Sequence, residues 1–303
     1  MNTQKYIIYE NDLKFRKFRN LDKTRIDWTQ NNISHLYDIN HDTLEYRVLE
    51  SERTNNSEID LRHLDLTIIP QIINTTKFNN LHYLFLSNNK LQGSFNFYGL
   101  LNLQSLDLDY NNITNITLPT NLLELSINNN KLTELKCNDK LIRLKASHNI
   151  LTTITLNNNL EILEVDNNKF IQLNIDNLSK LHRFIIFSNP LINFKITPSL
   201  SYVDISETNI KQINYDILNC NIETLVANTC KNLTAIPQFN MLKNLEIINT
   251  AVDKLYYYDN YELIIIQFNL TKNISKKYKE NKANIQIRNN ILLVISKGNI
   301  EIN

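Results

Sequence analysis

Histidine and cysteine are the side chains best suited to hold a metal or attack a substrate, and this 303-residue chain carries six of the first and three of the second. A zinc site groups such ligands about two to five residues apart, and a cysteine nucleophile needs a base beside it. Neither arrangement is present. His82, His148 and His182 stand in different segments, and Cys137, Cys220 and Cys230 show no CxxC spacing. Only three glycines occur, and there is no GxGxxG, P-loop or GxSxG motif. No catalytic residue, metal or cofactor is expected. The odd cysteine count yields no disulfide framework and points to a reducing, cytoplasmic setting. The opening "MNTQKYIIYENDLKFRKFRN" lacks the apolar core and small-residue cleavage site of a secretory signal. No apolar run reaches the roughly 18 residues that span a bilayer.

Charge chemistry is equally muted. The formal net charge is +1, so no global field favours nucleic acid or a membrane surface. "LKFRKFRNLDKTR" interleaves Lys14, Arg16, Lys17, Arg19, Lys23 and Arg25 with Phe15 and Phe18. Its plainer reading is a solvated face whose two phenylalanines enter a small core. "TKNISKKYKENK" (271–282) reads as a solvated loop. The N-x-S/T sequons at Asn112, Asn115 and Asn232 are expected by chance in a chain this rich in Asn.

The elements that position these side chains come from a repeat. Taken alone, "LSINNNKLTEL" (125–135) reads as a hairpin turning at NNNK. Aligned on Asn, it is one of a series: "LHYLFLSNNKL" (81–91), "LQSLDLDYNNI" (103–113), "LLELSINNNKL" (122–132), "LIRLKASHNIL" (141–151), "LEILEVDNNKF" (160–170) and "LHRFIIFSNPL" (181–191). Weaker copies begin at 200, 222, 242 and 261, about 19 to 22 residues apart, with degenerate copies at 59–66 and 285–292, giving about twelve units. A hairpin meander needs neither a fixed Asn nor a constant repeat length. The period implies a solenoid in which each unit adds one short strand and no unit buries its aliphatic face alone.

The pattern resembles the leucine-rich repeat, LxxLxLxxNxL, over roughly residues 59 to 292. Pro119 before the strand is similar to the short repeats of bacterial effectors and large DNA viruses. The resemblance implies an α/β-class solenoid with a parallel sheet on its concave side. It also implies that the Asn accepts from one backbone N–H and donates to a carbonyl of the adjacent unit. The resulting ladder is Asn89, Asn111, Asn130, Asn149, Asn168 and Asn189, then Thr208, Cys230 and Thr250, then Asn269 and Asn290. Units this short leave no room for a roughly ten-residue helix, so the convex side should be extended or a single 3₁₀ turn. Removing convex helices should give shallow curvature, with about eleven strands spanning on the order of 50 Å. The boundaries are an N-terminal cap at 1–55, partly helical and holding Trp28, a solenoid at 56–273, and a last repeat with a β cap at 274–303. "NIQIRNNILLVISKGNIEIN" fits either a small meander or one more parallel strand followed by a hairpin.

What remains for function is the concave face. Residues alternating with the inward aliphatics are Tyr83, Phe85 and Ser87; Ser105, Asp107 and Asp109; Glu124, Ser126 and Asn128; Arg143, Lys145 and Ser147; Ile162, Glu164 and Asp166; Arg183, Ile185 and Phe187; and Tyr202, Asp204 and Ser206. A sheet with nothing to bind should be uniformly polar. Ile185, Phe187 and Tyr202 break that rule beside Arg183, and aromatics with Arg are enriched at interface hot spots. Arg143, Lys145, Glu164 and Asp204 frame this patch, and Tyr83 with Phe85 form a smaller one that contact with the N-terminal cap explains equally well. The expected function is a non-catalytic scaffold for a protein partner, without nucleic acid, membrane or small-molecule substrate. Two alternatives stand beside it: substrate recognition in a ubiquitin-ligase system, and a surface adhesin-like repeat protein. The chain beyond the repeats is too short for a ligase domain, and no F-box pattern precedes them.

Overall fold

The computed structural model describes residues 44–52, 55–74, 78–215 and 220–252, and the strands Leu263–Gln267, Asn284–Arg288 and Ile291–Ile295. The basic segment at 14–25, Trp28, the loop at 271–282 and Asn269 lie outside the described residues. Eleven strands of three to five residues run parallel in one sheet. Their central residues Ile59, Leu84, Leu106, Leu125, Leu144, Leu163, Phe184, Val203, Leu225, Leu245 and Ile264 pair in register, each with the next. Leu125 lies between Leu106 and Leu144, so the triple asparagine that follows it leads into the next coil and does not fold back.

The core follows from the period. In each coil four aliphatic positions turn inward: the leading Leu, the strand centre, the residue two further on, and the residue two past the Asn. Leu141, Leu144, Ala146 and Leu151 are one such set, and all are fully buried. Burying one Leu is worth about 1.5 to 3 kcal/mol, and here most of that burial is against the coils on either side. The helix Leu44–Ser51 lays Leu44 and Val48 on the first coil, and Arg47 reaches Asp60 at 3.5 Å.

The asparagines do two different jobs. The ladder residue donates from Nδ2 to a carbonyl of the preceding coil and accepts at Oδ1 from an N–H of that same coil. For Asn149 these bonds reach Ile127 O at 2.9 Å and Leu132 N at 3.0 Å. Asn89, Asn111, Asn130, Asn168 and Asn189 repeat the pair of bonds. The residue before each ladder position takes left-handed backbone, with φ of 53 to 58° at Asn88, Tyr110, Asn129, His148, Asn167, Ser188, Glu207, Thr229 and Asn249. Among non-glycine residues Asn tolerates that conformation best, so the Asn-Asn pairs are one backbone requirement followed by one hydrogen-bonding requirement. The repeat pattern does not anticipate a second series. Just before the leading aliphatic, Asn102, Asn121, Asn159 and Asn221 donate to Asn79, Leu101, Asp139 and Pro198 carbonyls one coil back.

Three departures are structural. First, the convex chain is extended, but it also pairs with itself. Gln92–Asn96 lies beside Asn112–Thr117, Glu134–Lys136 beside Thr153–Thr155, and Phe194–Ile196 beside Ile213–Tyr215, all parallel. The register of the first pair shifts after Gly93, whose φ is 92°, so that Thr114 of the partner strand is left unpaired as a bulge. Second, the ladder weakens after Asn189. Thr208 Oγ1 donates to Ile205 O of its own coil and meets Cys230 Sγ of the next coil at 3.4 Å, while Cys230 Sγ reaches back to Ile205 O at 3.1 Å. Thr250 accepts from Val252 N at 3.4 Å and makes no cross-coil bond among the described residues. A hydroxyl or thiol is too short to offer an amide's donor and acceptor together. Third, the stretch 285–292 is not a repeat. Asn284–Arg288 and Ile291–Ile295 pair antiparallel with Arg288 opposite Ile291, and Ile291–Ile295 pairs antiparallel with Leu263–Gln267. Asn290 itself lies outside the described residues. The alternating sequence around "RNN" is a hairpin signal that aligning on Asn misreads as a coil.

Candidate protein-binding face

The sheet presents three columns of side chains, set by the strand register. The first runs Glu58, Tyr83, Ser105, Glu124, Arg143, Ile162, Arg183, Tyr202, Thr224 and Asn244. The second runs Asp60, Phe85, Asp107, Ser126, Lys145, Glu164, Ile185, Asp204, Val226 and Glu246. The third, just past the strands, includes Ser87, Asp109, Asn128, Ser147, Asp166, Phe187, Ser206, Asn228 and Ile248.

Its middle is cross-linked by charge. Arg143 bonds Glu124 at 2.7 Å, and Glu164 sits between Lys145 at 3.5 Å and Arg183 at 3.1 Å. The Arg183 guanidinium also lies 4.2 Å from the centre of the Tyr202 ring. Arg183 is thus held before any partner arrives, which lowers the ordering cost of using it. Ile185, Phe187 and Tyr202 are half-buried around it, not fully exposed. Toward the N-terminal end Tyr83 is exposed, and Phe85 stacks under Arg62, whose guanidinium is 5.2 Å from the ring centre. The two sequence-derived patches therefore stay separate, with the ion-paired middle between them.

The carboxylates divide into two kinds. Burial disfavours ionisation of Asp60, yet bonds from Arg62 at 2.6 and 2.9 Å hold its pKa below the usual range. Asp109 is pushed up to about 6, first by burial and then by the charge of Asp107. Its partners are neutral: Ser126 Oγ at 2.9 Å and the Asn128 amide groups. Asp204 is also pushed up to about 6, by burial and then by Glu246 and Asp166, against bonds from Ser206. Glu246 accepts from Asn228 Nδ2 at 3.1 Å.

His82, His148 and His182 sit in separate coils, and among the described residues no group of three or more His, Cys, Asp or Glu side chains could hold a metal. Burial pushes the Cys137 thiol up to about 12, far from a reactive thiolate. Val226, Glu246 and Ile248 extend the patch beyond Tyr202, and sequence reasoning stopped short of them. Running the same alignment through "IETLVANTC" and "LKNLEIINTAV" gives all three positions.

A tandem LxxLxLxxN unit, an in-register parallel sheet and an Asn ladder joining coil to coil define a leucine-rich-repeat solenoid. No family model matches the chain, and no curated protein does. Solved structures similar to it include the functional domain of InlJ from Listeria monocytogenes, at 18% identity over 70% of this chain and 68% of that one, with a TM-score of 0.33. A Shigella effector leucine-rich-repeat domain is similar at 18% identity over 68% and 74%, with a TM-score of 0.40. The LRIM1/APL1C complex is similar at 16% identity over 60% of this chain but 46% of that one, with a TM-score of 0.46. Each is a likeness in fold alone.

Proposed function

We propose that the chain is a non-catalytic scaffold that holds a protein partner on its concave sheet, with Arg183, Ile185, Phe187 and Tyr202 as the anchor. One observation carries the reading. An apolar and aromatic patch, with an arginine already fixed by Glu164 and Tyr202, adjoins the ion-paired middle of the face. A rigid sheet asks little reordering on capture, so modest contacts suffice. A cytoplasmic home belongs to the same proposal and is supported by cysteines held as thiols.

The test is partner capture from cell extract by the full chain and by Phe187→Ala and Arg183→Ala. Both variants should keep the unfolding midpoint within roughly 1 kcal/mol of the parent, since neither side chain is core. Both should lose most of the captured partner. Capture unchanged in both variants rejects this patch.

A further inference from the structure

Five neighbouring strands place Glu164, Ile185, Asp204, Val226 and Glu246 side by side in one row of the concave face. Acid and aliphatic alternate along it, so successive carboxylates are two strands, or about 10 Å, apart. The first acid is satisfied, because Lys145 and Arg183 both pair with Glu164. The other two are not matched by charge. Among the described residues, Asp204 takes its bonds from Ser206 and Glu246 takes its bond from Asn228, all neutral donors. Between and beside them stand half-buried apolar side chains: Val226, Ile185, Phe187 and Ile248.

We propose that the partner of this face is a basic, extended protein segment. Two Lys or Arg side chains about three positions apart meet Asp204 and Glu246, the apolar residues between them cover Val226, and an apolar residue beyond the Asp204 side covers Ile185. Three residues of polyproline-type chain advance about 9 Å and bring the side chain back to the same face, which matches the spacing of the two acids. Charge complementarity selects this occupant. A neutral apolar segment would bury two carboxylates without a counter-ion, and an acidic one would add repulsion. The inference rests on the scaffold reading above and names the chemistry of its partner.

It also carries a pH dependence. Glu246 and Asp166 oppose the ionisation of Asp204, and its burial opposes it more; Tyr202 and the Cys230 thiol lie within reach of its charge. Below about pH 6 Asp204 takes up a proton and the row loses one of its two anchors.

The test uses the immobilised full chain to select from a random peptide library displayed on phage. The Asp204→Asn, Glu246→Gln double variant and Phe187→Ala are run in parallel. Wild type should enrich peptides with Lys or Arg three positions apart around apolar residues. The best of these, synthesised, should bind the double variant at least about tenfold more weakly, and lose a similar factor as pH falls from about 7.5 to about 5. Enrichment of neutral or acidic peptides that Phe187→Ala abolishes would overturn the basic partner and leave the scaffold standing. Basic peptides that bind the double variant equally well would also overturn it. If nothing is enriched over background, both readings fail.

Discussion

Asn149 shows how much one side chain can settle in this fold. Its amide answers the Leu132 N–H and the Ile127 carbonyl of the preceding coil, and the Ala146 carbonyl of its own. Alanine there leaves buried backbone groups without partners, at about 1 to 3 kcal/mol each. Asn149→Ala should therefore lower unfolding free energy by roughly 3 kcal/mol in a denaturant titration, whereas Lys169→Ala on the exposed flank should change it little. The ladder was legible because an Asn that recurs in phase with the aliphatics must serve the same backbone groups in every coil. The left-handed residue before it was not legible, because Tyr110, His148, Glu207 and Thr229 occupy it as well as Asn. Asp204 gives a second expectation. Its folded pKa of about 6 exceeds that of an ordinary carboxylate, so the folded chain binds the extra proton. That term makes the fold more stable as pH falls from about 6 toward 4, and the gain should vanish in Asp204→Asn. A wild-type-minus-variant stability difference that is flat across this window contradicts the assignment.

At the level of the coil, the two ends of the array are held differently. From Asn89 to Asn189 each ladder amide bonds the preceding coil in two ways, whereas Thr208 Oγ1 bonds Ile205 O of its own coil and Cys230 Sγ of the next. The Leu91, Ile113, Leu132, Leu151 and Phe170 amides each have an Asn oxygen as acceptor, and Thr208 offers the Leu191 N–H no such group. Local opening in repeat proteins follows such differences. Hydrogen exchange should be faster at Leu191 than at Phe170, and Thr208→Asn should slow Leu191 by roughly tenfold, the effect of one added hydrogen bond. Equal rates would mean that coil packing alone sets protection. Coil elements were readable wherever Leu, Leu and Asn kept phase. That reading fails at 285–292, where two strands joined by "NN" mimic the same letters, because a hairpin and a repeat share alternation over so short a span. Pairing among convex strands was hidden too, since nothing in a segment such as "QGSFN" marks which extended stretch finds a partner. The observed pair Gln92–Asn96 with Asn112–Thr117 includes a bulge at Thr114, opposite the Gly93–Ser94 step.

For the whole molecule, function turns on what a stack of near-identical coils leaves different. The aliphatic positions repeat and make one continuous core, while the outward columns vary from coil to coil. In the proposed function this variation is the source of selectivity, and Arg183, Ile185, Phe187, Tyr202 and Asp204 converge only because their strands are adjacent and in register. That convergence could be derived from spacing alone. The ion pairs that fix Arg183, and the neutral setting of Asp204 and Glu246, could not, because they depend on side-chain reach across strands. Carboxyl footprinting of the full chain, alone and with its captured partner, tests the central claim most directly. Binding on the concave face predicts that Asp204 and Glu246 lose reactivity while Asp139 and Asp176, off that face, keep theirs. Protection of Asp139 and Asp176 with Asp204 and Glu246 unchanged would contradict it.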